Sequence, residues 1–168
     1  MGKKIVVQND AVEGTDKHNV MGDATNPSPP PPSIPSTVWV ADFDYVGKMT
    51  DGLSDFVHIN GQAIALKTSK SSLNPGEDVA PTGKHSGAQG KTFVPPAPPP
   101  FPATQANLTI TDPIGDGKPN LGAGSRFVSI GGTAILLDGD RIDTCDGLSV
   151  PGNSTVSAAN QDFVSCSE

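Results

Sequence analysis

Apolar residues along this chain fall in short runs separated by segments rich in Gly, Pro and polar residues. No window carries a sustained 3.6-residue apolar period free of Gly and Pro, so strands are expected rather than helices. The clearest runs are Phe56-Val57-His58-Ile59-Asn60-Gly61-Gln62-Ala63-Ile64-Ala65-Leu66 and Phe127-Val128-Ser129-Ile130-Gly131-Gly132-Thr133-Ala134-Ile135-Leu136-Leu137. Phe127 stands 71 residues after Phe56, and Phe, Val, Ile, the second turn Gly, Ala, Ile and Leu recur at that offset. In each run apolar arms flank a dipeptide, Asn60-Gly61 or Gly131-Gly132, that accepts the positive φ of a two-residue type I′ turn. Each run therefore reads as a β-hairpin. By strand alternation Phe56 and His58 share one face, Val57 and Ile59 the other. A repeated hairpin predicts a small body of stacked β layers.

Around the hairpins the pattern loosens. Residues 3–8 read as a first strand, Glu13 to Asp23 as a turn-rich segment, and Thr37 to Val46 as a strand holding the only Trp and Tyr, Trp39 and Tyr45, as packing anchors. Pro27 to Pro35 contains six prolines and reads as extended surface chain excluded from a central strand. A loop from Thr68 to Phe93 carries Lys70, Lys84 and His85; its length marks it as functional or held by a ligand. A second proline cluster, Pro95 to Pro100, reads as a stiff connector or as a docking site for a polyproline-binding module. The fold expected is all-β, with repeated short hairpins and long Pro- and Gly-rich loops. A body over 1–150 is followed by a Ser- and Asn-rich tail over 151–168, expected to be partly mobile.

Composition limits the core. Of 168 residues, 35% are hydrophobic and 5% aromatic, while 19 are Gly and 17 Pro, so irregular loops must cover much of the surface. A net charge of −7 without any basic run excludes a nucleic-acid backbone as partner. The apolar segment near the amino end, Ile5-Val6-Val7, is too short for a signal peptide or a membrane span. Synthesis in the cytoplasm is the expectation.

The chain has three histidines and two cysteines. His18, His58, His85 and Cys145 together make a complete tetrahedral Zn²⁺ set, since imidazole nitrogen and thiolate sulfur both suit that ion. No two of them stand at zinc-finger spacing, and the competing reading is three scattered solvent-facing histidines. His58 takes the place of Ser129 in the second copy, so the hairpin does not need an imidazole there. A disulfide between Cys145 and Cys166 would close a short carboxy-terminal loop, although the lack of an export signal favours reduced thiols. Asp138, Asp140, Asp143 and Asp146 depart from the EF-hand spacing and read as a solvated acidic turn. No nucleophile elbow, phosphate loop or dinucleotide fingerprint occurs, so no enzymatic activity is expected.

Several of these pieces, taken in order, form a pattern: Gly14-Thr15-Asp16-Lys17-His18-Asn19-Val20-Met21, a proline-rich loop, Leu53 to Ala63, a Gly-rich loop with a His, Gly124 to Ala134, and Gly139-Asp140 leading to Thr144-Cys145-Asp146. Over residues 12–148 it resembles the PAAR-like spike-tip proteins of contractile injection systems: type VI secretion, contractile phage tails and extracellular particles. The resemblance implies a small cone capping the trimeric central spike, with zinc near the point bound by three His and one Cys. His18, His85 and Cys145 match that pattern. The proline-rich loop lacks the His usual in the extracellular members, and His58 would have to substitute for it. The same resemblance implies a trimeric spike protein at the cone base, docked through Ile5, Val6, Val7 and the Trp39 segment. It also implies effector cargo in some cases, transient contact with a target membrane, and a final location at the particle tip, outside the cell or in the target envelope. A different class stays open: a small extracellular binding or adhesion β-domain with a Cys145–Cys166 disulfide.

Overall fold

Six strands close into a small barrel, and three hairpins cover one of its ends. A computed structural model describes the backbone of residues 2–25, 33–73, 104–110, 116–144 and 150–166, and the side chains of 2–19, 45–73, 116–144 and 150–166. Its strands are β1 (Lys3–Lys4), β2 (Ala11–Thr25), β3 (Ser33–Asp51), β4 (His58–Ile59), β5 (Gln62–Ala63), β6 (Lys70–Leu73), β7 (Thr104–Ile110), β8 (Lys118–Pro119), β9 (Ser129–Ile130), β10 (Thr133–Ala134), β11 (Arg141–Asp143), β12 (Ser154–Ser157) and β13 (Ser165–Cys166). The described residues contain no helix, and the fold is all-β. The main sheet runs β6-β3-β2-β12-β11-β8, with β7 pairing the upper part of β2. Reciprocal bonds between Ser71 and Gly117, 2.8 and 3.0 Å, join β6 to the residue before β8 and bring the sheet back on itself. At the level of this bridge the closure leaves no strand edge open to another chain.

Both hairpins form with the turns their dipeptides demand. Ile59 pairs Gln62 around Asn60-Gly61, and Ile130 pairs Thr133 around Gly131-Gly132. All four turn residues have positive φ: 51° and 79° in the first copy, 58° and 85° in the second.

A third, equivalent hairpin is assembled from the two ends of the described chain: Lys3 pairs Cys166 and Lys4 pairs Ser165. The segment after each hairpin meets its counterparts around a pseudo-three-fold axis. The Val6 amide donates to the Leu136 carbonyl, Leu136 to Ala65, and Ala65 to Val6, at 3.0, 2.9 and 2.9 Å. Outside this ring the same cycle recurs in the bridges Ile5–Leu137, Ile64–Val7 and Ile135–Leu66. Each repeat thus runs from an incoming barrel strand through a hairpin to an outgoing one: β3 to β6, β8 to β11, and β12 to β2 across the chain ends.

Alternation along these central segments separates two cores. Val6, Ala65 and Leu136 point into the barrel with Val12, Tyr45, Met49, Ile142 and Val156. Their neighbours Ile5, Val7, Ile64, Ile135 and Leu137 pack the other way, among the hairpins, with Ile59 and Cys166. Burying a side chain of this size contributes about 1.5–3 kcal/mol, so two small clusters sharing one layer make economical use of few apolar residues.

Four expectations change. Glu13 to Asp23 is not a turn-rich loop but part of the 15-residue β2. Its inner face carries Val12, Gly14, Asp16 and His18, and a mostly polar inner face hides the alternation. The Ser- and Asn-rich tail is built into the sheet: β12 lies between β2 and β11, and Val156 and Ala158 are buried. Thr68 to Phe93 does not begin as loop, because Lys70 to Leu73 form β6. Pro35 lies within β3, at the register shift where Ala24 pairs Ile34 and Gly22 pairs Thr37, a bulge where a proline is tolerated. Tyr45 is buried with its hydroxyl 3.0 Å from Ser71 Oγ, as a packing anchor should be. The Trp39 side chain, residues 26–32, Lys84, and Pro95 to Pro100 lie outside the described residues.

Candidate functional site

Two regions stand out from the packing: the outer face of the hairpin layer and the polar end of the barrel. At the root of each hairpin a side chain turns back on the backbone. Ser54 Oγ accepts from the Val57 amide at 3.0 Å, Ser125 Oγ from Val128 at 3.1 Å, and Gln161 Oε1 from Val164 at 2.9 Å. That bond fixes the residues between as a tight bend and turns the Phe at its middle outward. Phe56, Phe127 and Phe163 are 74%, 73% and 64% exposed, at equivalent positions and therefore at one level around the pseudo-axis. Three large apolar side chains held out into solvent in this arrangement form an exposed apolar set of the kind that marks a contact surface.

Behind each hairpin a second set of side chains closes the turn into the outgoing strand. Asp10 Oδ2 accepts from the Val7 amide, Ser69 Oγ from Leu66 and Asp140 Oδ2 from Leu137, at 2.7, 2.8 and 2.8 Å. The second Asp10 oxygen takes the amides of Ala159 and Asn160, both at 2.9 Å, tying the two chain ends together. Asp138 accepts from the Ala158 amide at 2.8 Å, and Asp143 from Asn120 Nδ2 at 2.8 Å and from the Gly152 amide. The acidic run is therefore a set of structural acceptors, each half-buried, rather than a solvated turn. Asp146 lies outside the described residues.

Above the apolar core the barrel interior becomes polar. Asp16 is buried and accepts from Thr144 Oγ1 at 2.5 Å and from Asn153 Nδ2; Thr144 Oγ1 also lies 2.7 Å from Ser154 Oγ. A carboxylate removed from water needs such partners. Gly14 permits the approach, since a Cβ there would stand 2.5 Å from the Asn153 carbonyl oxygen and from Ser154 Cα. His18 is also fully buried, two residues beyond Asp16 on the same face of β2, roughly 7 Å along the strand. The Gly14-Thr15-Asp16-Lys17-His18 motif thus puts a buried carboxylate and a buried imidazole on one inner face of β2.

Of the four candidate ligands, His18 and His58 have described side chains, and the structure does not bring these two together. His58 is exposed beside Phe56, as alternation predicts, and pairs Ala63, whose carbonyl accepts from the Gln8 amide below the start of β2. His18 stands about 23 Å along the strand beyond Ala11. His85 and Cys145 lie outside the described residues. Among the described residues no cluster of three or more His, Cys, Asp or Glu could hold a metal ion.

Cys166 occupies the position of Ile59 and Ile130 and is buried among the hairpins, its sulfur 3.4 Å from Ser125 Oγ. A small apolar role suits a cysteine so placed. The proposed docking residues Ile5, Val6 and Val7 are buried and cannot form an outer surface. Lys70 lies 3.4 Å from Asp116 in an exposed pair. A cleft of about 300 Å³ is lined by Gly122, Gly124, Ser125, Arg126, Phe127 and Asp140. Its one carboxylate is occupied by the Gly124 and Leu137 amides, and no His or Cys lines it.

The outer Phe ring was not visible in the linear pattern because its third member belongs to the split repeat. Phe163-Val164-Ser165-Cys166 does echo Phe127-Val128-Ser129-Ile130, and Ile5-Val6-Val7 echoes Ile135-Leu136-Leu137. Both echoes belong to one repeat when the carboxy end is read on into the amino end. Comparisons with protein-family models, with curated proteins and with solved structures find no match.

Proposed function

We propose that this chain is a structural, non-enzymatic spike tip of a contractile injection system. It acts as a small cone-shaped cap seated on a trimeric central spike, sharpening it for envelope piercing. The observation that carries the reading is the three-fold hairpin layer. A single chain capping a homotrimer must offer one surface three times, and this one does so with hairpins of the same register and three outward Phe side chains. Resistance to axial load fits a closed barrel plugged by a ring of backbone bonds. The protein is made in the cytoplasm and finishes at the particle tip, touching the target membrane only on firing.

A structural zinc near the point belongs to the same proposal. The donor chemistry fits at His18, buried on the inner face of β2, and Cys145 is next in sequence to Thr144, which donates to Asp16 on that face. His85 is the third donor, and His58, out among the hairpins, is left out of the set. The bound ion supplies folding free energy by cross-linking segments that are not preassembled in the unfolded chain. Asp16, Thr144 and Asn153 hold the two donor segments together.

Immunogold electron microscopy of particles from the producing cell tests the assignment. Label confined to one end of the tube is expected; label elsewhere, or particles without it, overturns the reading. Elemental analysis of the purified chain tests the metal. One zinc per chain is expected, lost in Cys145→Ala together with a fall in the thermal midpoint; a metal-free wild type of equal stability rules the ion out.

A further inference from the structure

We infer that the partner of the hairpin layer meets it through three identical apolar recesses with uncharged rims, one for each of Phe56, Phe127 and Phe163. The inference rests on the spike-tip reading and adds the chemistry of the partner surface. Three positions around the pseudo-axis can be compared residue by residue. The Phe position is identical in all repeats and exposed in all of them. The position before it is not: Asp55, Arg126 and Asp162, all exposed, give two negative charges and one positive.

A partner made of three identical subunits places the same group opposite each member of such a set. A cation on the partner would attract Asp55 and Asp162 and repel Arg126, and an anion would do the reverse. Like charges brought together in an interface disfavour binding strongly, so a charged rim is self-defeating on either sign. The benzyl groups carry no such conflict. Apolar contact at the repeated Phe position therefore supplies the affinity, and the position that differs between repeats faces an uncharged group or water. His58, Ser129 and Ser165, two residues beyond each Phe, are all polar and exposed, so hydrogen bonding is possible at that level three times over. A partner of this symmetry also cannot distinguish the three rotations of the tip. The departures from equivalence then select no orientation and need only be tolerated.

The test captures the partner from extracts of the producing cell on the immobilised full-length chain and weighs the eluted complex by native mass spectrometry. One tip chain with three copies of a single other chain is expected. With that protein purified, Phe56→Ser, Phe127→Ser and Phe163→Ser should each weaken binding by about tenfold or more, and to within about threefold of one another. Arg126→Asp and Asp55→Arg should stay within about threefold of wild type. If the complex has the expected mass but a charge variant shifts affinity by more than that, or one Phe dominates, or a Phe variant binds normally, this inference fails and the spike-tip reading stands. A complex of any other stoichiometry, or none, overturns both. Circular dichroism of each variant confirms that folding is retained.

Discussion

In the hairpin layer each bend is closed by a side chain a few residues away: Ser54 on Val57, Ser125 on Val128, Gln161 on Val164, then Asp10, Ser69 and Asp140 on the amides three positions earlier. At the polar end of the barrel the partners are remote. Asp16 depends on Thr144 and Asn153, which stand 128 and 137 residues further along the chain. Local closure repeated three times specifies each bend from its own neighbourhood, and only the third hairpin also needs the two chain ends to meet. The barrel end instead needs the sheet to be complete before its buried carboxylate is satisfied. The first region can present a precise outer surface without a ligand, and the second gains most from an added staple.

The largest effect is expected at the junction of the two regions. Leu136 is fully buried in the central ring, and Leu136→Ala should cost about 2–5 kcal/mol in urea denaturation. Its equivalents are Val6 and Ala65, so the ring is filled by one large, one medium and one small side chain. Ala65→Leu alone should cost about 1–3 kcal/mol by overpacking. Combining the two exchanges volumes across the axis and should recover a large part of the loss; simple additivity would argue against a shared, pseudo-equivalent centre.

Next comes the closure of the outgoing strands. Asp10→Ala releases the buried Val7 amide and the part-buried Ala159 and Asn160 amides and should cost about 3 kcal/mol, most of it from the buried donor left unpaired. Ser69→Ala, at the equivalent turn, loses the Leu66 amide and its own donation to the Gly52 carbonyl, and should cost about 1–2 kcal/mol. Equal losses at the two sites would mean that the split repeat is no more dependent on its side-chain tie than the continuous one.

This contrast also explains what could be read along the chain. Asn60-Gly61 and Gly131-Gly132 announce their hairpins because a two-residue turn is decided by the backbone freedom of those residues. The all-β class and the split of Phe56 and His58 from Val57 and Ile59 follow equally locally. β2 was obscured because Gly14, Asp16 and His18 fill its inner face, and their partners on Thr144 and Asn153 leave no trace near them in sequence. The third hairpin was hidden because a fixed offset along the chain cannot join Ser165 to Lys4. Ile5, Val6 and Val7 look like a docking strip only while their own ring is unknown. The metal donors beyond His18 and His58 depend on segments that the described residues do not include.

Two glycines separate crowding from backbone conformation. Gly14→Ala should cost about 1–3 kcal/mol, because the new Cβ meets backbone atoms of Asn153 and Ser154 that can move only if β12 parts from β2. At Gly131 nothing lies within 4 Å of a Cβ, and only its φ of 58° resists substitution. Gly131→Ala should therefore cost about 1–2 kcal/mol, the strain of an L-residue in the left-handed region. Hydrogen exchange distinguishes the two: Gly14→Ala should expose amides of β2 and β12, whereas Gly131→Ala should loosen only β9 and β10.

The smallest effect on stability is expected where the proposed function is greatest. Phe56→Ser, Phe127→Ser and Phe163→Ser remove side chains that are mostly in water, so the unfolding free energy should change by no more than about 0.5 kcal/mol. Were the three residues ordinary members of the hairpin core, the loss would approach that of Leu136→Ala, and the outer ring would be packing rather than a contact surface. Changing all three at once sharpens the comparison, because small independent losses add and a cooperative cluster would not. A triple variant that unfolds as wild type does would leave three solvent-facing Phe residues with no part in stability, which is the condition a docking ring must meet.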